Sequence, residues 1–185
     1  AKKISYGLFS KETANGLLQD VRFVHKTFTG FITGKVIDSF IIGVLCFIGT
    51  SIIGTPYAAL VSVIIGVTNV IPFFGPFLGA IPSTLLILFV DPLQALYFVI
   101  FVIILQQIDG NIIGPKILGS STGLSSFWVI FSITLFGGLF GIFGMIIGVP
   151  IFAVVFAFIK SLVESKLITK ELPPETSKYL RLLYI

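Results

Sequence analysis

Residues 39–90 read SFIIGVLCFIGTSIIGTPYAALVSVIIGVTNVIPFFGPFLGAIPSTLLILFV, and none of these 52 residues is charged. About 20 consecutive apolar residues already span the hydrocarbon core of a bilayer, so this run is long enough to cross more than once. A second uncharged run covers the 43 residues from Ile117 to Ile159. Inside lipid the backbone must satisfy its own polar groups, which runs of this composition do as helices. The reading is therefore an all-α, polytopic transmembrane helical bundle. Its chemistry must lie in the few polar groups and helix breaks that interrupt the apolar runs.

The rest of the composition bears on partners. The chain is 56% hydrophobic and 11% charged, with a mean hydropathy of +1.10, whereas soluble domains carry about 25% charged residues. Twenty Phe and 19 Gly suit lipid-facing rings and close helix contacts. Cys46 is the only cysteine, so no disulfide framework exists. The net charge of +4 comes mostly from the ends: Lys2, Lys3, Lys11, Arg22, Lys26 and Lys35 before the first run, and Lys160, Lys166, Lys170, Lys178 and Arg181 after the last. These read as topology signals and headgroup anchors, not as a nucleic-acid surface. Basic flanks favour the cytoplasmic side, which places both termini there with an even number of spans. The start, Ala-Lys-Lys, has neither an initiator Met nor a signal-peptide pattern, and reads as a fragment of something longer.

Residues 1–35 mix polar and apolar types. Phe23, Val24, Thr27, Phe28 and Phe31 recur at helical spacing with Arg22 and Lys26 between them. That pattern fits an amphipathic lead-in helix on the cytoplasmic surface, or a soluble helix docked on another domain. The transmembrane domain is read as 36–165, with spans at about 36–53, 57–70, 77–90, 92–108, 126–138 and 141–162. Residues 166–185 form a polar tail in which Pro173-Pro174 excludes a continuous helix. Gly54-Thr55-Pro56 ends the first span, and Asp91-Pro92 starts a helix with Asp91 as its N-cap. Residues 110–125, rich in Gly and Ser, read as a loop or a shallow re-entrant segment.

Three groups of residues stand out. Pro56 to Val90 would make a helix of about 52 Å, too long for a core of about 30 Å. It breaks at Asn69-Val70-Ile71-Pro72-Phe73-Phe74-Gly75-Pro76, because two prolines and a glycine this close cannot stay helical. The halves, 57–70 and 77–90, form either two short spans or a re-entrant hairpin. Irregular backbone at membrane depth is tolerated inside protein or beside a water-filled cavity, so Asn69, Pro72, Gly75 and Pro76 are candidates to line a substrate or ion path. The alternative is a loop at the bilayer surface. Gln106, Gln107, Asp109 and Asn111 form the second group. A carboxylate at mid-membrane costs about 3 kcal/mol and usually serves as a proton or cation ligand, although at the interface that cost is small.

The third group, Gly137, Gly141, Gly144 and Gly148, has steps that place a small-residue packing stripe on one helix face. A glycine-rich turn between two spans is the other reading. A weak internal repeat, Phe74-Gly75-Pro76-Phe77-Leu78-Gly79 against Phe143-Gly144-Met145-Ile146-Ile147-Gly148, fits either an inverted repeat with broken helices, as in many transporters, or, the favoured reading, chance similarity in Gly- and Phe-rich sequence. The string Gly119-Ser120-Ser121-Thr122-Gly123 matches a hydrolase nucleophile motif, but that elbow needs a preceding strand and a His base, and the only His is His25. No paired Cys/His set for a metal and no P-loop lysine motif occur. No metal, cofactor or enzymatic activity is expected.

The break Asn69 to Pro76 resembles the "N-x-I-P-x-x-G-P" signature of the autoinducer-2 exporter family, the PerM-like permeases. Gln106 through Gly119, with Asp109 and Pro115, is similar to that family's glutamine–carboxylate–proline block, and Gly137-Gly138 to Pro150 to its closing glycine block. The match covers about residues 25–165 and implies the C-terminal half of a bacterial inner-membrane secondary transporter, preceded in relatives by further spans and a soluble helical region. The resemblance implies export of a signal molecule such as autoinducer-2, or sodium/proton exchange, with motif positions Asn69, Pro72, Gly75, Pro76, Asp109 and Pro115. Asp109 stands where many members have Glu. The expected partners are the bilayer, a small hydrophilic solute or a cation or proton, and the missing N-terminal spans, with a homo-oligomer allowed. A non-transporting scaffold subunit and a passive channel are the competing readings.

Overall fold

The structure, a computed structural model, describes residues 10–118, 123–170 and 172. All of its regular elements are helical: α1 (Lys11–Ile53), α2 (Ala58–Thr68), α3 (Gly75–Leu88), α4 (Pro92–Ile108), a π-helical turn (Asp109–Ile113), α5 (Gly114–Leu118) and α6 (Ser126–Thr169). Three apolar helical stretches have the length needed to cross a membrane, Leu18–Ile53, Pro92–Ile117 and Ser126–Thr169, the last of them folding back on itself at Gly141. The molecule is thus an all-α membrane bundle.

The lead-in and the first expected span are not separate. They form one helix of 43 residues, about 64 Å long, and its early part is tied to the bundle: Phe31 is buried with Ile133 and Val149. α1 is the hub, packing on α2, α4, α5 and α6. At its crossing with α2, Gly43 and Gly66 face each other, and a Cβ on Gly66 would lie 3.0 Å from the Gly43 Cα. Close to this crossing Thr50 and Ser62 hydroxyls are 3.2 Å apart. The larger core cluster gathers Ile42 and Cys46 of α1, Val61 and Ile65 of α2, Ile87 of α3, and Phe98, Val102 and Leu105 of α4. Outside it, large apolar side chains such as Phe40, Ile52, Phe89 and Phe143 are exposed, as lipid-facing surface is.

α2 and α3, with 11 and 14 residues, are each too short to cross a core of about 30 Å. They fold back on one another: a Cβ on Gly79 would overlap the Thr68 hydroxyl, and one on Gly75 the Thr68 carbonyl. α4 starts as its sequence dictates, with Asp91 accepting hydrogen bonds from the amides of Leu93 (2.9 Å) and Gln94 (3.2 Å).

α6 is a helical hairpin, not one rod. Gly141 has φ 61 and ψ −145, a conformation open in practice to glycine alone. The arms on either side meet. Trp128 stacks on Phe152 with centroids 5.4 Å apart and also touches Phe156, residues that a straight helix would hold more than about 35 Å away. The expected stripe of Gly137, Gly141, Gly144 and Gly148 on one helix face is therefore corrected. Gly141 makes the reversal, Gly144 and Gly148 pack beneath Phe136, and Gly137 lies against Met145. Residues 110–125, expected as a loop or a shallow re-entrant segment, are helical in their first part, where the π-turn and α5 continue the helical path to Leu118, which corrects the loop reading there. Gly119 to Thr122, and the tail with Pro173-Pro174, lie outside the described residues.

Candidate functional site

The break between α2 and α3 is a compact turn. The amides of Val70 and Ile71 bond back to the carbonyls of Val67 (3.4 Å) and Thr68 (3.0 Å), and Gly75 bonds to Ile71 (2.9 Å). Phe74 N–H reaches the Pro72 carbonyl at 2.7 Å, closing a tight turn about Phe73, whose φ is 63. A side chain in that region is strained by roughly 1–2 kcal/mol. The turn carries Asn69, 2% exposed, into the bundle.

There the Asn69 side-chain amide donates to two carboxylates. It lies 3.3 Å from Asp38 Oδ2 on α1 and 3.4 Å from Asp109 Oδ2 at the end of α4. Asp38 in turn takes the Lys35 ammonium at 2.6 Å. Lys35, Asp38, Asn69 and Asp109 are all buried. Asp38 Oδ1, Asp109 Oδ1 and Gln106 Nε2 are buried with no hydrogen-bond partner among the described residues.

Helix lengths bring these groups to one depth. Gln94 of α4 reaches the carbonyl of Ile53 at the end of α1, so those ends lie side by side. Asp38 is 15 residues back from Ile53 and Asp109 17 residues on from Pro92, which is about 22 Å and 25 Å along the helices.

The π-turn shapes the Asp109 side. Pro115 has no N–H and its ring presses on the carbonyl one turn back. Widening the preceding turn relieves that contact, and such π-turns recur at functional sites. The Gly114 N–H closes the wide turn on the Asp109 carbonyl. A cavity of about 1060 Å³ opens beside the cluster, with Lys35, Asp38, Asn69, Gln106 and Asp109 among its polar lining and Phe31, Phe77 and Ile103 among its apolar walls.

Of the residues singled out from sequence, Asn69, Pro72, Pro76, Gln106, Gln107, Asp109 and Pro115 line this cavity. Gly75 does not; it packs against the Thr68 carbonyl behind the turn. Asn111 does not either, because its amide turns back to Gln107, 2.8 Å from the carbonyl, on an exposed surface. Lys35 and Asp38 belong to the site and were not singled out. Their sequence signal is an i,i+3 ion pair at the edge of a charge-free run. Among the described residues, no group of three His, Cys, Asp or Glu is placed to hold a metal.

The sequence profile described as AI-2E family transporter matches residues 5–164. YueF of Bacillus subtilis, named as a candidate transport protein, is 37% identical over 120 residues, covering 65% of this chain and 32% of that protein. A candidate transport protein of Haemophilus influenzae is 29% identical over 185 residues, 98% of this chain and 50% of its own length. PerM of Escherichia coli, named as a candidate permease, is 27% identical over 124 residues, covering 66% and 35%. The chain thus spans 32–50% of the length of these relatives. No solved structure matches it. Three ordered motifs and a match across most of the chain lead to one conclusion: the chain belongs to the AI-2E family of transporters.

Proposed function

We propose that the protein is a secondary transporter of the bacterial inner membrane, moving a small hydrophilic solute or ion along a path beside the Asn69 break. Export of a signal molecule of the autoinducer-2 kind and cation/proton exchange both fall within this reading. It acts by binding and release, not by bond-making. Asp109 takes up and gives back a proton or cation, so an ion gradient supplies the energy.

One observation carries the reading: two carboxylates and an amide, from three separate segments, meet at one depth in an apolar bundle beside a cavity. Ionisable groups inside a membrane are costly and usually mark an ion or substrate pathway. A scaffold would gain as much from apolar packing, because replacing a buried ion pair by hydrophobic residues is often neutral or stabilising. With both termini cytoplasmic, the α2–α3 hairpin enters from the opposite side and the cluster lies nearer the cytoplasmic face.

The test is flux in proteoliposomes holding the full-length protein, wild type against Asp109→Asn, with sodium and proton gradients imposed separately. Gradient-driven flux in the wild type, lost in a folded Asp109→Asn protein, is the expected result. Equal flux in both would remove Asp109 from the mechanism. No flux under either gradient would favour the scaffold.

A further inference from the structure

Lys35 is an unusual tenant of a membrane bundle. Its side chain is 7% exposed and its ammonium is held by Asp38 Oδ2. Among the described residues, the charged groups lining the cavity are Lys35, Asp38 and Asp109. With all three ionised, one positive charge faces two negative ones. The two carboxylates are not equivalent. Asp38 Oδ2 receives both the ammonium and the Asn69 amide, whereas Asp109 Oδ2 receives the amide alone. Among the described residues, one oxygen of each is buried without a partner beside the cavity. A buried charge left uncompensated is far more costly than a paired one, so the cluster calls for one further positive charge. Lysine suits the other role, being a compact point charge on a flexible stem that cannot leave.

We propose that Lys35 is a tethered counter-cation built into the Asp38–Asn69–Asp109 site, so that the site accepts a single mobile positive charge, a proton or a monovalent metal cation, at Asp109 and excludes divalent cations. The inference rests on the transport reading only for the site's use. It concerns the charge the site will hold, which is measured without transport.

Lys35→Met keeps the stem and removes the charge. Asp38→Asn removes one carboxylate and leaves the ammonium. Binding of radioactive sodium to the purified full-length protein, with and without calcium as competitor, reads the effect. Lys35→Met should bind sodium about ten-fold more tightly or better, and calcium should now compete. Asp38→Asn should bind it about ten-fold more weakly or worse, although Asp109 is intact. The double variant should return to wild-type behaviour. If the wild-type site prefers a proton, the infrared band of a protonated carboxyl, read at one fixed pH, should grow in Lys35→Met and shrink in Asp38→Asn.

Sodium binding and carboxyl band both unchanged in a folded Lys35→Met protein would overturn the proposal. So would Asp38→Asn behaving as wild type, which decides the matter if Lys35→Met fails to fold. Flux that depends on Asp109 but cation binding indifferent to Lys35 would sink this inference and spare the transport reading. The binding pattern without any flux would do the reverse.

Discussion

Two of the reversals inside the apolar region, the turn between α2 and α3 and the one within α6, are built alike but equipped differently. At the first, Gly75 and Gly79 sit four residues apart and press on Thr68 of the preceding helix. At the second, Gly144 and Gly148 do the same against Phe136. Each follows a residue with positive φ, Phe73 in one and Gly141 in the other, and each is followed by a proline inside the next helix, Pro82 or Pro150. The tips differ. The first carries Asn69, buried between two carboxylates. The second presents Leu139, Phe140, Ile142 and Phe143, all exposed. The reversal itself is a packing solution that Gly and Phe supply wherever two short helices must lie close. Chemistry enters only where a polar side chain rides on the turn and meets charges from other helices.

The largest expected effect tests the shared architecture. Gly75→Ala and Gly144→Ala each drive a methyl into a backbone carbonyl, Thr68 in one case and Phe136 in the other. Each should lose about 3 kcal/mol of stability, read as matching falls in thermal unfolding in detergent. A large loss in one and none in the other would break the likeness.

Function should then separate the two. Asn69→Leu strips a hydrogen-bond donor from two carboxylates and should lower flux about ten- to hundred-fold, while Ile142→Ala at the other tip should stay within about two-fold. A smaller effect concerns backbone strain. Gly141→Ala should cost about 2 kcal/mol, because its φ and ψ suit glycine alone. Phe73→Gly relieves a strained side chain but adds chain freedom, and should shift stability by less than about 1 kcal/mol. Smallest of all is Asn111→Ala. That residue pairs locally with Gln107 on an exposed turn, so flux should not change and stability should move by less than about 0.5 kcal/mol.

The fold class was legible because bilayer physics acts on stretches of sequence. An uncharged run of 52 residues can be housed in few ways other than as buried or lipid-facing helices. The break near Asn69 was legible for a similarly local reason: proline removes an N–H and clashes wherever it falls in a helix. The site was only half legible. Asn69 and Asp109 stood out as polar groups in apolar surroundings, but the bond joining them spans 40 residues and the one to Asp38 spans 31. No periodicity encodes such contacts; packing of α1 against the hairpin and α4 creates them. Asp38 gives a weaker signal because it lies at the edge of its run, three residues from Lys35. The glycines from 137 to 148 left a stripe and a turn both open, for the opposite reason. Their spacing fits one continuous helix face, and glycine's freedom to take positive φ at Gly141 leaves no mark on that spacing.

The central claim is that the polar reversal borders a water-filled path and the apolar one does not. Single cysteines at Gln106, facing the cavity beside Asn69, and at Ile142, on the second tip, would be compared in a Cys46→Ala background. Each protein would be treated in sealed vesicles with a membrane-impermeant thiol reagent applied from either face. Labelling of Gln106→Cys from at least one face, with Ile142→Cys unlabelled from both, is the predicted result. Equal labelling at the two positions, or an unreactive Gln106→Cys in a folded protein, would contradict the account.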